Sequence, residues 1–265
     1  MITNYVTGAK GFIGQHLCRK LGVETVKTID HRRIGKEGLL PFEKFFFLST
    51  YGNLWGHKNW KAVVKANVTD LVYLLRKSFD YPGGTFVFVS SSSVNLPTHT
   101  PYSCCKMAAE HILASAHKED RRTIIARPYS VIGVGEQKQH LIPTLIRSCL
   151  NGEKMQFYPF ATHDFVDVED FVDGLLLVSE SAPSGIYEFG NGRTVPNAEV
   201  RALVESITGK VANVELTNYG RPYDGTQWYC RNCAAKKMGW TPKKSLRDTI
   251  TEMVTEYEHT AKKVR

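Results

Sequence analysis

Along the first half of the chain, hydrophobic residues fall into short solid runs, separated by longer stretches where they recur every three or four positions. The runs Asn4–Val6, Val26–Ile29, Phe45–Leu48, Phe86–Val89 and Thr123–Ala126 are short and mostly apolar, Phe45–Leu48 and Phe86–Val89 entirely so, as strands buried on both faces are. Between them, Phe12–Leu21, Trp60–Phe79 and Tyr102–His117 carry the helical period. This alternation predicts βαβ units wound into a parallel sheet. The second half is mixed. Helices are expected at Leu141–Leu150, Pro196–Thr208 and Leu246–Lys262, the last with Ser245 as its N-cap. Short strands are expected at Met155–Tyr158 and Gly185–Phe189. The fold class is therefore α/β, and no internal repeat or low-complexity tract interrupts it.

The first strand runs straight into glycines. In NYVTGAKGFIGQHL, Gly8, Gly11 and Gly14 stand at a strand-to-helix junction, where a tight turn, close backbone approach and helix-on-strand packing each require a missing side chain. The helix N-terminus behind them offers free N–H groups and a positive dipole end to a phosphate. This marks a dinucleotide site. Asp30 closes the second strand, where a carboxylate accepts hydrogen bonds from ribose hydroxyls and repels a 2′-phosphate, favouring NAD. Lys10 in the loop and His31, Arg32 and Arg33 just after Asp30 leave NADP open. A Rossmann-type nucleotide domain over residues 1–160 is expected, then a smaller, mainly substrate-binding α/β domain over 161–265, with some exchange of elements between the two.

Four serines, Ser90–Ser93, end the run FVFV, and a Tyr-x-x-x-Lys pair follows at Tyr102 and Lys106. Residues four apart share a helix face. A free phenol, with pKa about 10, is a poor base near neutrality. An ammonium ~6 Å away at an effective dielectric constant of about 20 favours the phenolate by about 2.8 kcal/mol. A hydroxyl, a phenol and an ammonium at a strand end thus form a candidate proton-transfer site. The bland reading is a capped strand beside two helix-surface residues.

Composition narrows the partners. The net charge of +8 suits an anionic ligand, and no block of five like charges suggests a nucleic-acid tail. No apolar run approaches the ~18 residues that span a bilayer, and no signal-peptide pattern is visible. The expectation is a cytoplasmic protein with free thiols, without nucleic-acid or membrane partners. The lone Cys230-x-x-Cys233 pair reads as two helix-start residues rather than a metal or redox site.

TGAKGFIG, the serines, and the tyrosine and lysine of YSCCK together resemble an extended short-chain dehydrogenase/reductase, closest to the nucleotide-sugar epimerase/dehydratase branch. FFFLSTYGN, Asn67, RPYSVIGVGEQ, HLIPTLI, HDFVDVEDFVDGLL, GIYEFGNGRT and KKMGWTPKKSL resemble family blocks in family order, over almost the whole chain. The resemblance implies a seven-stranded Rossmann-type sheet and a nucleotide-diphosphate sugar in the cleft. It implies a catalytic trio of Ser91, Tyr102 and Lys106, with Ser92 as the fallback for Ser91. Gly8, Lys10, Gly11, Phe12, Ile13, Gly14, Asp30, Arg32, Leu48, Ser49, Thr50, Tyr102, Lys106 and Pro128 would line the cofactor. Ser92, Ser93, Ser130, His140 and Arg221 would meet the substrate, Arg221 at its pyrophosphate. No metal site is implied.

The chain departs from the family pattern in several places. The segments 31–45 and 94–101 are short, His163 replaces an arginine, Ser130 an asparagine and Cys230 an aspartate. Family dehydratases carry Asp-Glu where Ser92 and Ser93 stand, so dehydration is disfavoured. A 4-epimerase-like cycle with NAD is favoured. An NADPH-dependent reductase of a keto nucleotide sugar, or a non-catalytic cofactor-binding regulator, are the alternatives. The family packs its counterparts of helices 60–79 and 102–117 into a homodimer bundle, for which Val63, Val64, Leu71, Leu74 and Leu75 offer an apolar face.

Overall fold

The computed structural model describes residues 4–30, 39–54, 56–57, 59–117, 121–231 and 233–263. In chain order, β1 (Asn4–Thr7), α1 (Phe12–Leu21), β2 (Val26–Ile29), β3 (Lys44–Phe47), α2 (Trp60–Val64), α3 (Asp70–Ser78), β4 (Thr85–Val89), α4 (Pro101–His117) and β5 (Thr123–Pro128) come first. They are followed by β6 (Ser130–Ile132), α5 (Leu141–Asn151), β7 (Met155–Phe157), β8 (Thr162–His163), β9 (Phe165–Asp167), α6 (Val168–Ser181) and β10 (Gly185–Phe189). The last elements are β11 (Val195–Pro196), α7 (Asn197–Thr208), β12 (Val214–Leu216), α8 (Ala234–Lys237) and α9 (Leu246–Lys263). Among the described residues no helix is long and apolar enough to cross a membrane.

The chain divides into two compact units. The first comprises 1–128, 172–189 and 233–240, and the second 129–171, 190–232 and 241–265. The first unit holds a six-stranded sheet in the order β10-β5-β4-β3-β1-β2, parallel throughout. The chain steps from β1 outward to β2, then returns to the other side of β1 to lay down β3, β4 and β5. The strand order therefore reverses between β1 and β3, the crevice where such sheets take ligands. Among the described residues the sheet has six strands, where seven are expected. Residues 31–38, between β2 and β3, lie outside the described residues.

Register builds the core of this unit. Tyr5 pairs with Phe45 and Phe45 with Phe86 across neighbouring strands. Their rings stack at 5.6 Å and 5.0 Å between centroids. Each such cross-strand pair contributes about 0.5–1.5 kcal/mol beyond the area it buries. Leu71, Leu74 and Leu75 complete this core and Val63 is also buried, so the stripe expected to face a second subunit is largely consumed within the chain. Of that set only Val64 is exposed, at 40%.

The single helix expected over Trp60–Phe79 is interrupted. Residues Lys65–Thr69 form a π turn between α2 and α3. Asn67 lies in it, fully buried, and its side-chain amide donates to Val63 O at 2.8 Å and Tyr51 O at 2.7 Å. An amide inserted against the carbonyl four residues back forces the wider turn.

The second unit is held by three two-stranded pairs: β6 with β9, β7 with β12, and β8 with β11. Helices α5, α7 and α9 contribute to its core. Asp164 ties its loops together, accepting from the N–H groups of Asn191, Gly192 and Cys230 at 2.7–2.9 Å. Ser245 caps α9 as expected, in a reciprocal box with Asp248. Cys233 occupies the N-cap position of α8, whereas Cys230 lies in the loop gripped by Asp164 and starts no helix among the described residues.

Candidate active site

The glycine loop joins β1 to α1 as its sequence predicts. Gly8 has φ +68°, a region costly for other residues, and a Cβ on Gly14 would come within 2.1 Å of Gly8 O. Gly11 takes the N-cap position of α1, with no side-chain cap and no acidic residue in the first turn. The leading N–H groups, on Phe12 and Ile13 among others, are thus left for an anion. Lys10 is exposed, and its carbonyl accepts from the Gln15 side chain at 2.8 Å. Beside the loop, Thr7 Oγ1 accepts from the N–H groups of Leu48 and Ser49, both at 3.0 Å, joining the ends of β1 and β3 at the switch point. Asp30 directly follows β2, and Pro128 ends β5. These residues fit a dinucleotide. Arg32, with its neighbours His31 and Arg33, lies outside the described residues.

Helix α4 starts with its own box. Thr100 Oγ1 accepts from Ser103 N–H at 3.2 Å, and Ser103 Oγ accepts from Thr100 N–H at 2.8 Å. Pro101 sits at the first helical position, where its missing N–H costs nothing. Tyr102 is thereby fixed in the first turn, and its phenol hydrogen-bonds the side chains of Ser91 and Thr50. Lys106, one turn on, is 1% exposed and donates to Val89 O at 2.9 Å. Its ammonium lies 5.6 Å from the Tyr102 ring centroid and 4.6 Å from that of Phe88.

The electrostatics differ from the expectation for this pair. Burial raises the Tyr102 pKa above 10.0, opposed by hydrogen bonds from Ser91 and Thr50. Burial also lowers Lys106 to about 7, opposed chiefly by the charge of Glu110. Desolvation disfavours both charged forms, so the ammonium needs support before it can favour a phenolate.

Ser91 caps the short 3₁₀ turn Ser92–Asn95 and accepts from Ser93 N–H at 3.1 Å. Ser92 is buried in that turn, and Ser93 Oγ is enclosed with no hydrogen-bond partner among the described residues. Two further contacts escaped the sequence. Thr50 donates to Asn67 Oδ1 at 2.6 Å, so the π turn reaches Tyr102 through Thr50. Glu110 accepts from Ser90 Oγ at 2.5 Å and from Arg127 at 2.9 and 2.5 Å. The position of Glu110, four residues after Lys106, was the available signal.

The remaining candidates belong to the second unit. Ser130 Oγ is 3.4 Å from His163 Nδ1. His140 pairs through Nδ1 with Glu136 at 2.9 Å, and burial raises the Glu136 carboxyl. Arg221 is paired with Asp224 at 2.9 Å, so an incoming pyrophosphate would compete for its guanidinium.

A parallel sheet with a glycine loop at its switch point and a tyrosine–lysine helix at the neighbouring strand end defines a dinucleotide-dependent oxidoreductive class. The family model described as "NAD dependent epimerase/dehydratase family" matches residues 52–190, and the chain belongs to that family. It is 24% identical over 307 residues to GDP-6-deoxy-D-mannose reductase of Pseudomonas aeruginosa, covering 96% of each chain. Its fold is similar to that of MoeE5, solved with UDP-glucose and NAD, at TM-score 0.87, 24% identity and coverage of 98% and 99%. It is also similar in fold to UDP-glucose 4-epimerase of Thermotoga maritima, at TM-score 0.86, 21% identity and coverage of 98% and 100%.

Proposed function

We propose that this chain moves a hydride at a carbinol carbon of a nucleotide-diphosphate sugar, and that the reaction is a 4-epimerisation with NAD retained. NAD, when bound, supplies the acceptor for the hydride and then its source. The observation that carries the reading is the phenol of Tyr102, hydrogen-bonded to Ser91 with the Lys106 ammonium on the same helix face. Tyr102 takes the proton of the sugar hydroxyl as the hydride departs and gives it back on return. Ser91 holds the same oxygen as charge develops on it. Lys106 favours the phenolate. Gly8, Gly11, Gly14 and the first turn of α1 hold the dinucleotide phosphates, and Asp30 its ribose. Ser93 Oγ, enclosed and without a hydrogen-bond partner among the described residues, is assigned a sugar hydroxyl in this reading. Ser130, His140 and Arg221 complete the substrate side. With serines at positions 92 and 93, no carboxylate follows Ser91 to expel water.

A second reading is reduction of a keto nucleotide sugar with NADPH, favoured by the similarity to GDP-6-deoxy-D-mannose reductase along 96% of both chains. UDP-glucose offered with NAD separates the two. Conversion to UDP-galactose without net cofactor turnover supports epimerisation; stoichiometric NADPH loss with a keto-sugar panel supports reduction. Tyr102→Phe is expected to lower either activity on the order of 10²–10⁴-fold. Full activity in that variant would remove Tyr102 from the chemistry, and a biological role untouched by it would favour the non-catalytic cofactor-binding regulator. Assembly as a homodimer belongs to the same reading, and a monomer in sedimentation at micromolar concentration would end it.

A further inference from the structure

Three successive residues at the end of β4 are each tied to one turn of α4. Ser91 bonds Tyr102, Val89 O accepts from Lys106 at 2.9 Å, and Ser90 Oγ donates to Glu110 at 2.5 Å. The first two ties carry the proposed chemistry, and the third goes to a residue that chemistry does not use. Glu110 is 6% exposed and its carboxylate is gripped side-on by the Arg127 guanidinium from β5. Arg127 in turn reaches Asn95 at 3.4 Å and Glu188 of β10 at 3.9 Å.

The charges of four side chains in this cluster balance. Lys106 and Arg127 are cations, and Glu110 and Glu188 are carboxylates, so the net charge is zero. The Lys106 ammonium makes its hydrogen bond to a carbonyl, with no carboxylate bonded to it among the described residues. Its other neighbours are the Phe88 ring from β4, and Tyr102 and Cys105 from its own helix. Charge balance must therefore come from one turn further along α4.

We infer that Glu110, held by Arg127 and Ser90, is a positioning residue that keeps the buried Lys106 ammonium charged and in register with Tyr102. This rests on the reading of Tyr102 and Lys106 given above. Burial brings Lys106 down to about 7 even with Glu110 opposing it, and Glu110 is the largest opposing influence. Without the carboxylate the ammonium would be discharged near neutrality, and the phenol would lose its supporting field.

The test uses the NAD-saturated protein and the isotope-labelled lysine Cε resonance of Lys106, assigned with Lys106→Arg. Glu110→Gln removes a negative charge, and is expected to lower the Lys106 titration midpoint by about one pH unit or more. Arg127→Gln removes a positive charge and should move it the opposite way. The double variant E110Q/R127Q restores neutrality and should return it close to the wild-type value. A merely structural role would weaken the fold in all three without a reversal of sign. An unmoved midpoint in E110Q, or displacement of both single variants in one direction, overturns the inference. If E110Q does not fold, a midpoint that fails to rise in R127Q does the same. UDP-glucose turnover by Tyr102→Phe judges the catalytic reading separately, because the lysine titration needs no substrate.

Discussion

Lys106 is a fully buried cation, and burial disfavours its charged form. The folded value is about 7 against 10.5 for a free lysine. Because the folded value is the lower one, the unfolded chain binds more protons between those limits, and stability rises with pH across that window. Below it, the folded protein bears the whole cost of an enclosed ammonium. Lys106→Met is therefore expected to stabilise the fold by about 1–3 kcal/mol below neutrality while abolishing hydride transfer. Urea unfolding at a series of pH values checks this. The gain should fade toward 10.5, and a variant less stable than wild type at every pH would refute it. Thr50 presents a second case. Both amide hydrogens of Asn67 are committed to carbonyls, so its Oδ1 must face Thr50 and accept the hydroxyl proton. Thr50 can then only accept from Tyr102, and must turn its proton toward the phenol once that ionises. A charge-assisted bond outweighs the neutral one it replaces. Thr50→Val should thus lift the acid limb of the pH–rate profile by about one unit, and Thr50→Ser should restore it. An unchanged limb in the valine variant would remove Thr50 from the proton path.

The π turn between α2 and α3 places Asn67 where it can serve two masters, the loop after β3 and the helix itself. Asn67→Leu has the volume to fill the site but leaves Tyr51 O without its buried donor. A loss of about 1–3 kcal/mol is expected, together with slower turnover because Thr50 loses its anchor; thermal unfolding and UDP-glucose kinetics read the two effects. This element also marks how far the sequence could be read. The strands were legible because FVFV and its like are buried on both faces, and the spacing of Tyr102 and Lys106 is local to one helix. The break at 65–69 was not, because it depends on a carbonyl of Tyr51 brought in by another segment. The Glu110–Arg127–Glu188 cluster joins α4, β5 and β10, a juxtaposition only the strand order creates. Helix α6 lies within the family block HDFVDVEDFVDGLL, and its buried Val168, Phe171, Val172, Leu175 and Val178 keep the helical period between the acidic residues.

Across the molecule, acid should act on the second unit through one imidazole. The ring of His163 packs 5.5 Å from Phe165 and 6.2 Å from Trp228, measured between centroids, with Ser130 at its Nδ1. Burial, and then the charge of Arg221, pull its pKa from 6.5 to about 4, while Asp224 opposes. An arginine, the residue usual at this place in the resembling family, would stay charged at any pH; the histidine is neutral at pH 7 and can be forced to accept a proton. The folded value lies below the unfolded one, so the unfolded chain holds the extra proton between 4 and 6.5. Stability is complete above 6.5 and falls with decreasing pH through that window, at about 1.4 kcal/mol per unit and about 3 kcal/mol in all. His163→Gln removes the titrating group while keeping a polar side chain toward Ser130. It should flatten the decline between 6.5 and 4 without altering the profile above it, as read from urea midpoints at each pH. A variant that declines as steeply as the wild type would mean that another group carries the acid sensitivity of this unit.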